Sequence, residues 1–395
     1  MGGAKMSEWV RYRLNEISTL SNGINFDKSA YVSGVKLIGV SDFKDRLYPD
    51  YDSLQEVDTK VVRSGDYLEK GDIVFVRSNG NKELVGRCMM INCNTPVTYS
   101  GFCIKLHLTD KNVFNPIFFN YLFRTRQFKK SMTGTAVGAN IQNLSQSRLG
   151  SCEVQVPNIE TQNAIATILS RYDSLIENYQ KQIKLLEEAA QRLYKEWFVD
   201  LRFPGHENTE IVDGVPEGWK KMPVDSIYSI KYGKNLSTKL ITPEGKYPVY
   251  GANGVIGYYD KTNCNEQVVL ITSRGNGSGD VLMTYHKDAF ITNNSFIVMP
   301  HDEYRYCQLP FTYLFLKNAN FRSVRTGAAQ PQLTNQSIHT VDVVLPSKEL
   351  ISEYCKKTTQ YYKMGVYLRN QIRLLTEARD RLLPKLMSGD INVES

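Results

Sequence analysis

The chain of 395 residues has no long hydrophobic run, no Cys-x-x-Cys pair and no histidine pair at metal-ligand spacing. Because no apolar stretch approaches the roughly 18 residues of a transmembrane helix, the sequence predicts no membrane-spanning segment. Seven cysteines without paired spacing disfavour a disulfide framework and a zinc site, and they favour a reducing, cytoplasmic location. We therefore expect Cys88, Cys93 and Cys103 to be small buried hydrophobic residues.

Catalytic motifs are equally scarce. Asn115-Pro-Ile-Phe118 comes nearest, because adenine methyltransferases carry Asn/Asp-Pro-Pro-Phe/Tyr, but Ile117 replaces the second proline. Asparagine followed by proline is also typical of a helix start, and we favour that interpretation. The glycine-rich residues 274–280 lack the Gly-Lys-Ser/Thr ending of a phosphate-binding loop. The sequence therefore predicts neither an enzyme nor a metal site. A nuclease core of dispersed carboxylates, which Asp42-Phe-Lys44 would fit, stays open as an alternative.

What the chain does contain is an internal repeat. The segment QIKLLEEAAQRL at 182–193 returns as QIRLLTEARDRL at 371–382, an offset of 189 residues with eight of twelve positions identical. Trp9 and Trp219 also recur at the start of each copy. This period is too long for a solenoid and matches a globular domain followed by a long helix. The sequence therefore predicts two similar units in tandem.

Residues 158–199 contain no glycine or proline and follow an a/d heptad pattern, which is typical of a helix packed along another helix. The two columns are Leu169, Ile176, Ile183, Ala190 and Trp197, and Ile165, Tyr172, Tyr179, Leu186 and Leu193. In the second copy they are Tyr354, Tyr361, Leu368, Leu375 and Leu382, and the weaker Thr358, Gly365, Ile372, Arg379 and Leu386.

We predict that the two helices form an antiparallel coiled coil, about 60 Å long, with a globular unit at each end. Gly365 disfavours helix by about 1 kcal/mol, so the first half of the second helix should fray more easily. Pro384 is expected in the last turn of that helix.

The predicted fold class is α+β with a pseudo-two-fold internal repeat. Two similar β-rich domains cover residues 1–157 and 219–346, and long helices cover residues 158–200 and 347–395, the latter including a C-terminal tail. Residues 201–218 are rich in proline, glycine and acidic side chains, which predicts a linker or surface loop.

Polar segments recur at matched places in both copies. Arg77-Ser-Asn-Gly80 follows a predicted buried strand, and Arg274-Gly-Asn-Gly277 is its counterpart. Amide- and hydroxyl-rich residues recur at 133–143 and 326–335, each preceded by arginines or lysines that could neutralise phosphates. Arginine reads guanine, and asparagine or glutamine reads adenine, in the major groove of DNA. Ordinary turn chemistry explains each loop taken alone, and the net charge of +7 permits a nucleic-acid partner without requiring one.

Taken together, these features resemble the specificity subunit of type I DNA restriction–modification systems over essentially the whole chain. The resemblance rests on the tryptophan-led β-rich units, the Thr-Gly segments at 133 and 326, and the twin Leu-Leu-x-Glu-Ala helices. The linker Phe203-Pro-Gly…Trp219 and the segment Tyr247–Tyr258 are also forms that this family uses. Gly365 and Arg379 are mild departures, which put in doubt only how tightly the helices close there.

The resemblance implies that each β-rich unit is a target recognition domain for one half of a bipartite, asymmetric sequence in double-stranded DNA. The helices would set the spacing and dock two modification (methyltransferase) subunits, which ATP-dependent restriction subunits join. S-adenosylmethionine and ATP would be held by those partners, and no cofactor by this chain. The alternatives are a coiled-coil scaffold that binds only proteins, and the recognition part of a fused methyltransferase or nuclease.

The residues predicted to contact DNA are those of the recurring polar segments and of the Tyr247–Tyr258 segment. They are Arg77, Ser78, Asn79, Asn81, Arg126, Lys130, Thr133, Thr135, Asn140, Gln142, Asn143, Tyr250, Asn253, Arg274, Asn276, Arg325, Thr326, Gln330, Gln332 and Asn335.

Overall fold

Short apolar segments separated by turn residues build separate hydrophobic cores in the two units of the chain. The computed structural model describes residues 9–44, 46–80, 84–133, 143–327 and 330–393. The chain divides into unit 1, residues 1–178 with 372–395, and unit 2, residues 179–371. Each unit thus combines one β-rich region with parts of both long helices. The domain limits predicted from the sequence separate helices from β-rich regions and stay a prediction.

The strands and helices of the first half begin with β1 and end with the long helix α5. The strands are β1 (Val10–Arg13), β2 (Ser18–Asn22), β3 (Val35–Ile38), β4 (Gln55–Val57), β5 (Ile73–Val76), β6 (Cys88–Met90), β7 (Val97–Tyr99), β8 (Cys103–Leu108) and β9 (Glu153–Val156). The helices are α1 (Leu14–Ile17), α2 (Pro116–Leu122), α3 (Arg126–Thr133), α4 (Gln146–Gly150) and α5 (Ile159–Tyr194).

The second half repeats this order, with a two-stranded hairpin added at its start and a 3-10 turn, Phe321–Val324, in place of α3. The strands are β10 (Ile211–Val212), β11 (Val215–Pro216), β12 (Lys220–Pro223), β13 (Tyr228–Tyr232), β14 (Tyr247–Gly251), β15 (Gly254–Tyr259), β16 (Val269–Thr272), β17 (Val281–Met283), β18 (Phe290–Ile291), β19 (Ser295–Pro300) and β20 (Asp342–Leu345). The helices are α6 (Val224–Ile227), α7 (Leu309–Asn318), α8 (Asn335–His339) and α9 (Lys348–Met387).

Equivalent sheets form in the two units. Unit 1 has an antiparallel sheet in the order β2-β8-β5-β6, and unit 2 has β13-β19-β16-β17. A smaller sheet accompanies each, β4-β3-β7 in unit 1 and β15-β14-β18 in unit 2. The outer strands also pair antiparallel, β1 with β9 and β12 with β20. The short apolar segments at 35–40, 72–76, 102–106 and 154–156 of the sequence also predict strands, and these are confirmed as β3, β5, β8 and β9, with small shifts at their ends.

The central strand β5 is buried on both of its faces, which explains its uninterrupted apolar sequence. Ile73 and Phe75 belong to the core that contains the helices, whereas Val74 and Val76 belong to the core beneath the smaller sheet. In unit 2, Ile271 and Leu270 of β16 are divided between two cores in the same way. The larger sheet is therefore the middle layer of each unit.

The Asn115-Pro116 sequence is a helix start, as predicted. Oδ1 of Asn115 accepts hydrogen bonds from the backbone N–H groups of Ile117 (2.8 Å) and Phe118 (3.2 Å), and Pro116 begins α2. These bonds satisfy donors that the first helical turn leaves unpaired.

The long helices pair antiparallel within each unit. In unit 1, Arg379 of α9 forms an ion pair with Asp173 of α5. In unit 2, Arg369 pairs with Glu187, and the Tyr354 hydroxyl donates to the carbonyl of Ala190 at 3.0 Å. The sequence positions rise along one helix as they fall along the other, so the predicted antiparallel coiled coil is confirmed. A π-helical turn, Lys195–Val199, extends α5.

The heptad columns of α5 are buried or half-buried throughout. In α9 the predicted burial is wrong for Tyr361. This residue is 38% exposed, because at this point the neighbouring Tyr362 faces the protein instead. Gly365 is buried, and α9 is continuous through it. Pro384 lies in the last turn, as expected. Whether the first half of α9 frays stays a prediction.

The predicted linker is more ordered than its composition suggested. It carries the β10–β11 hairpin, and Phe203 is only 3% exposed because its ring packs on Trp219 with centroids 5.4 Å apart.

Cys88 and Cys103 are buried as predicted, whereas Cys93 is only half-buried. Within the described ranges, no helix is both long and apolar enough to cross a membrane.

Candidate nucleic-acid interface

Loop 1, which we define as residues 77–80, leaves the buried end of β5 and is fixed by backbone hydrogen bonds. The N–H of Arg77 donates to the carbonyl of Phe102 at 2.8 Å. The carbonyl of Arg77 accepts from the N–H of Leu144 at 2.7 Å, and Ser78 forms a β-bridge with Asn143. The structure thus joins two segments that the sequence identified separately.

Loop 2, residues 274–277, is held in the same manner in unit 2. The N–H of Leu333 donates to the carbonyl of Ser273 at 2.8 Å, and Arg274 forms a β-bridge with Gln332. Thr326 and Gln332 exchange backbone hydrogen bonds of 2.9 Å in both directions. Each unit therefore presents a strand-end loop beside an amide-rich segment.

The predicted match between Arg77 and Arg274 is wrong by one residue. Ile73 pairs with Leu106 as Val269 pairs with Val298, and Leu144 contacts Arg77 as Leu333 contacts Ser273. Arg77 is therefore equivalent to Ser273, and Arg274 is equivalent to Ser78. Arg77 is half-buried, whereas Arg274 is exposed. The two arginine side chains therefore extend from non-equivalent positions of the fold.

Loop 2 is a tight turn with an exposed asparagine. Gly275 has φ of +85°, a conformation that favours glycine, and its carbonyl accepts from the N–H of Ser278 at 2.8 Å. Asn276 is exposed between them. Asn253 lies at the tip of the β14–β15 hairpin, and a Cβ atom on Gly277 would be 3.3 Å from its Oδ1. Asn253 and Asn276 therefore belong to one polar surface.

Tyr250 does not belong to that surface. Its side chain is 3% exposed, and its hydroxyl lies 2.8 Å from Nδ1 of His286 and accepts from the N–H of Tyr285 at 3.1 Å. Burial raises the pKa of this hydroxyl above its usual value. Tyr250 is thus a core residue, and its predicted role as a DNA contact does not fit the structure.

The predicted cationic residues differ in accessibility. Arg126 and Lys130 are exposed on α3. Arg126 also lines a cleft of about 1160 Å³ in unit 1, together with Lys44, Arg87 and Lys129. Arg325 is half-buried in unit 2, and its Nε and Nη2 have no hydrogen-bond partner among the described residues. The unit 1 cleft is also lined by Glu153 and Asp380, so the cations that best suit a phosphate backbone are those exposed on α3.

The remaining predicted DNA contacts fall into three groups: exposed, half-buried, and outside the described residues. Asn143, Thr326, Gln330, Gln332 and Asn335 are exposed. Ser78 and Asn79 are half-buried. Asn81, Thr135, Asn140 and Gln142 lie outside the described residues, as does the side chain of Thr133.

The predicted DNA contacts do not include Phe102, which is 61% exposed and bonded to loop 1 through its carbonyl. They also do not include Val255 and Ile256, which are exposed on the β14–β15 hairpin. The Ser100-Gly101 turn signal before Phe102 marks the end of the strand pattern and is the only hint of its exposure that the sequence contains.

The fold and these loops define a class, a duplicated α+β protein with two similar polar loop surfaces and paired long helices. The model of the type I restriction modification DNA specificity domain matches residues 6–188 and 216–372. The chain belongs to this family of specificity subunits of type I restriction–modification systems.

Individual relatives agree with this family. The type I restriction enzyme MjaIX specificity subunit of Methanocaldococcus jannaschii is 27% identical over 301 residues, covering 69% of this chain and 68% of the relative. The EcoKI specificity subunit of Escherichia coli is 20% identical over 441 residues, covering 100% and 92%. The crystal structure of the S subunit from M. genitalium has a TM-score of 0.61 at 18% identity, covering 100% and 99%, and so shares the fold.

Proposed function

We propose that each unit reads one half of a bipartite, asymmetric sequence in double-stranded DNA. The observation that carries this proposal is the recurrence of one loop arrangement in both units. In each, a loop leaves a doubly buried strand and is hydrogen-bonded to an amide-rich segment. A rigid strand beneath a polar loop positions side chains well for base edges in the major groove.

In this proposal, side chains divide into base-reading and phosphate-binding groups. Arg77, Asn79, Arg274 and Asn276 lie in the loops and are assigned to bases. The exposed cations on α3, Arg126 and Lys130, are assigned to phosphates, since they lie on a helix outside the loop. Base contacts set the target sequence, whereas phosphate contacts set affinity and its dependence on salt.

The paired helices α5 and α9 have two proposed roles. They set the distance between the half-sites, and their repeated sequence offers two equivalent docking surfaces for two copies of a modification subunit. We place S-adenosylmethionine on those subunits and ATP on the restriction subunits that join them. This chain then contributes recognition and no catalysis.

The methylated motif of a host that carries the intact system tests the proposal. We expect two short half-sequences that differ from each other and are separated by a spacer of fixed length and free sequence. A single continuous motif, or none, would contradict the proposal. Methyl transfer by the isolated chain would instead favour the fused-enzyme alternative, and an assembled complex without sequence preference would favour the protein scaffold.

A further inference from the structure

A short turn in each unit supports one of the two polar loops. In unit 1 the turn 100–103 joins β7 to β8 and is closed by a bond of 2.9 Å from the N–H of Cys103 to the carbonyl of Ser100. In unit 2 the turn 292–295 joins β18 to β19 and is closed by a bond of 3.1 Å from Ser295 to Thr292. The two turns are therefore equivalent.

The third residue of each turn forms a backbone hydrogen bond with the neighbouring loop. The carbonyl of Phe102 accepts from the N–H of Arg77 at 2.8 Å, and the carbonyl of Asn294 accepts from the N–H of Ser273 at 2.8 Å. Arg77 and Ser273 are themselves equivalent. Phe102 and Asn294 thus occupy one structural position, directly beside the first residue after the buried strand.

The side chains at this position differ in chemistry. Phe102 is 61% exposed, although Ser100 and Cys103 on either side are buried. A single exposed phenylalanine is ordinary on a protein surface, but here the turn is closed by a backbone hydrogen bond and the carbonyl of Phe102 is bonded to a loop assigned to base edges. Asn294 is half-buried and presents an amide in place of the ring.

We propose that positions 102 and 294 determine specificity, each for the half-site that its own unit reads. This inference rests on the proposed function. An apolar ring suits the 5-methyl group of thymine, whereas an asparagine amide suits the donor and acceptor pair of adenine. Two units with one scaffold then read different half-sequences partly because this one position differs.

The test uses the complex that this chain forms with its modification subunits. It measures how tightly that complex binds DNA targets whose two half-sites are randomised. Phe102→Ala is expected to weaken binding of the preferred target about tenfold, which is ~1.4 kcal/mol. It should also relax base preference at a position in one half-site and leave the other half-site unchanged. Asn294→Ala should do the same for the other half-site. Phe102→Leu, which keeps an apolar contact, should retain the thymine preference.

The matched control is Val113→Ala. Val113 is also an exposed apolar residue of unit 1 (45%), but it follows the end of β8 opposite to Phe102. It should leave affinity and preference unchanged.

The same measurements include results that would overturn the inference or the proposed function beneath it. Unchanged affinity and base preference in Phe102→Ala would overturn the inference, and so would an equal loss on all sequences, because that is the behaviour of a phosphate contact. If Arg77→Ala disrupts one half-site while Phe102→Ala does not, only the inference fails. A wild-type complex without any sequence preference would instead overturn the proposed function.

Discussion

In unit 1 the long helices meet around a largely buried ion pair, whereas in unit 2 the ion pair is more exposed and the helices meet around a cluster of aromatic rings. Asp173 of α5 accepts from Arg379 and from the Tyr121 hydroxyl, and burial together with the charge of Asp173 raises the pKa of Tyr121. In unit 2 the rings of Tyr194 and Tyr354 lie 6.0 Å apart, and Phe198 lies 5.4 Å from Tyr354. The backbone arrangement is thus maintained by two different kinds of side-chain contact.

The comparison shows which features the duplication keeps. Sheet order, strand register and the loop supports recur in both units, since these depend on backbone hydrogen bonds. The helix interface and the exposed loop residues differ, since several side-chain sets satisfy the same geometry. Arg379 occupies a position that is Ala190 in the other copy. The arginine is accommodated there because Asp173 faces it.

Removing an aromatic ring from the unit 2 interface should have the largest effect on stability. Trp197 is 5% exposed, and Trp197→Ala should destabilise unit 2 by ~3–5 kcal/mol through the lost burial and the cavity left behind. The equivalent Leu386→Ala in unit 1 removes fewer atoms and should cost somewhat less. Amide hydrogen exchange in the two halves of α5 measures both, because a chain of two units need not unfold in one step. If the amides of α5 were equally protected from exchange in both variants and in the wild type, the expected difference in stability would be contradicted.

Breaking the ion pair of unit 1 should have a smaller effect. The side chains of Arg379 and Asp173 retain only 18% and 17% exposure, so Asp173→Ala leaves a poorly hydrated cation and should destabilise unit 1 by about 2–3 kcal/mol. The control is Glu187→Ala in unit 2, where the carboxylate is 47% exposed and the loss should stay below about 1 kcal/mol. The double variant Asp173→Leu/Arg379→Leu should recover most of the stability. An equal loss in Asp173→Ala and Glu187→Ala would show that burial of the pair is unimportant.

Much of this architecture follows from the sequence by periodicity. The heptad columns predicted both long helices, and the Asn-Pro pair predicted the start of α2. The loop register could not be predicted, because the two Arg-x-Asn-Gly motifs align by residue type, whereas the β-ladders align backbone positions that differ by one residue. The burial of Tyr250 depends on which face of β14 meets the core, and the exposure of Phe102 depends on how the turn between β7 and β8 joins two different sheets.

Loop arginines should affect recognition more than stability. Arg77→Ala is expected to weaken recognition of one half-site by ~1–3 kcal/mol, and Arg274→Ala to weaken the other by a similar amount. Competition binding with targets altered in one half-site at a time measures both effects. Because Arg274 is equivalent to Ser78, the two variants should relax preference at non-equivalent positions of their half-sites. Unaltered binding and specificity in both would exclude the loops from recognition.

The smallest expected effect is at Gly365. Gly365→Ala should stabilise α9 by about 0.5–1 kcal/mol, because glycine in a helix interior is less favourable than alanine. A Cβ atom there would lie 3.1 Å from Nη1 of Arg369, the end of a flexible side chain that can move aside. Hydrogen exchange in residues 348–371 should slow relative to the wild type. Arg369 also packs over the ring of Tyr285 at 3.9 Å. Faster exchange would mean that moving Arg369 costs more stability than the alanine adds.

The most direct test of the whole account is a paired insertion in the two long helices. One heptad is added after Glu187 and one before Arg369, which face each other, so that the a/d pattern continues in both helices. Seven residues lengthen a helix by about 10 Å, the rise of roughly three base pairs. The account predicts methylated sites with the same two half-sequences and a spacer longer by about three base pairs. An unchanged spacer, or altered half-sequences at the old spacing, would contradict it.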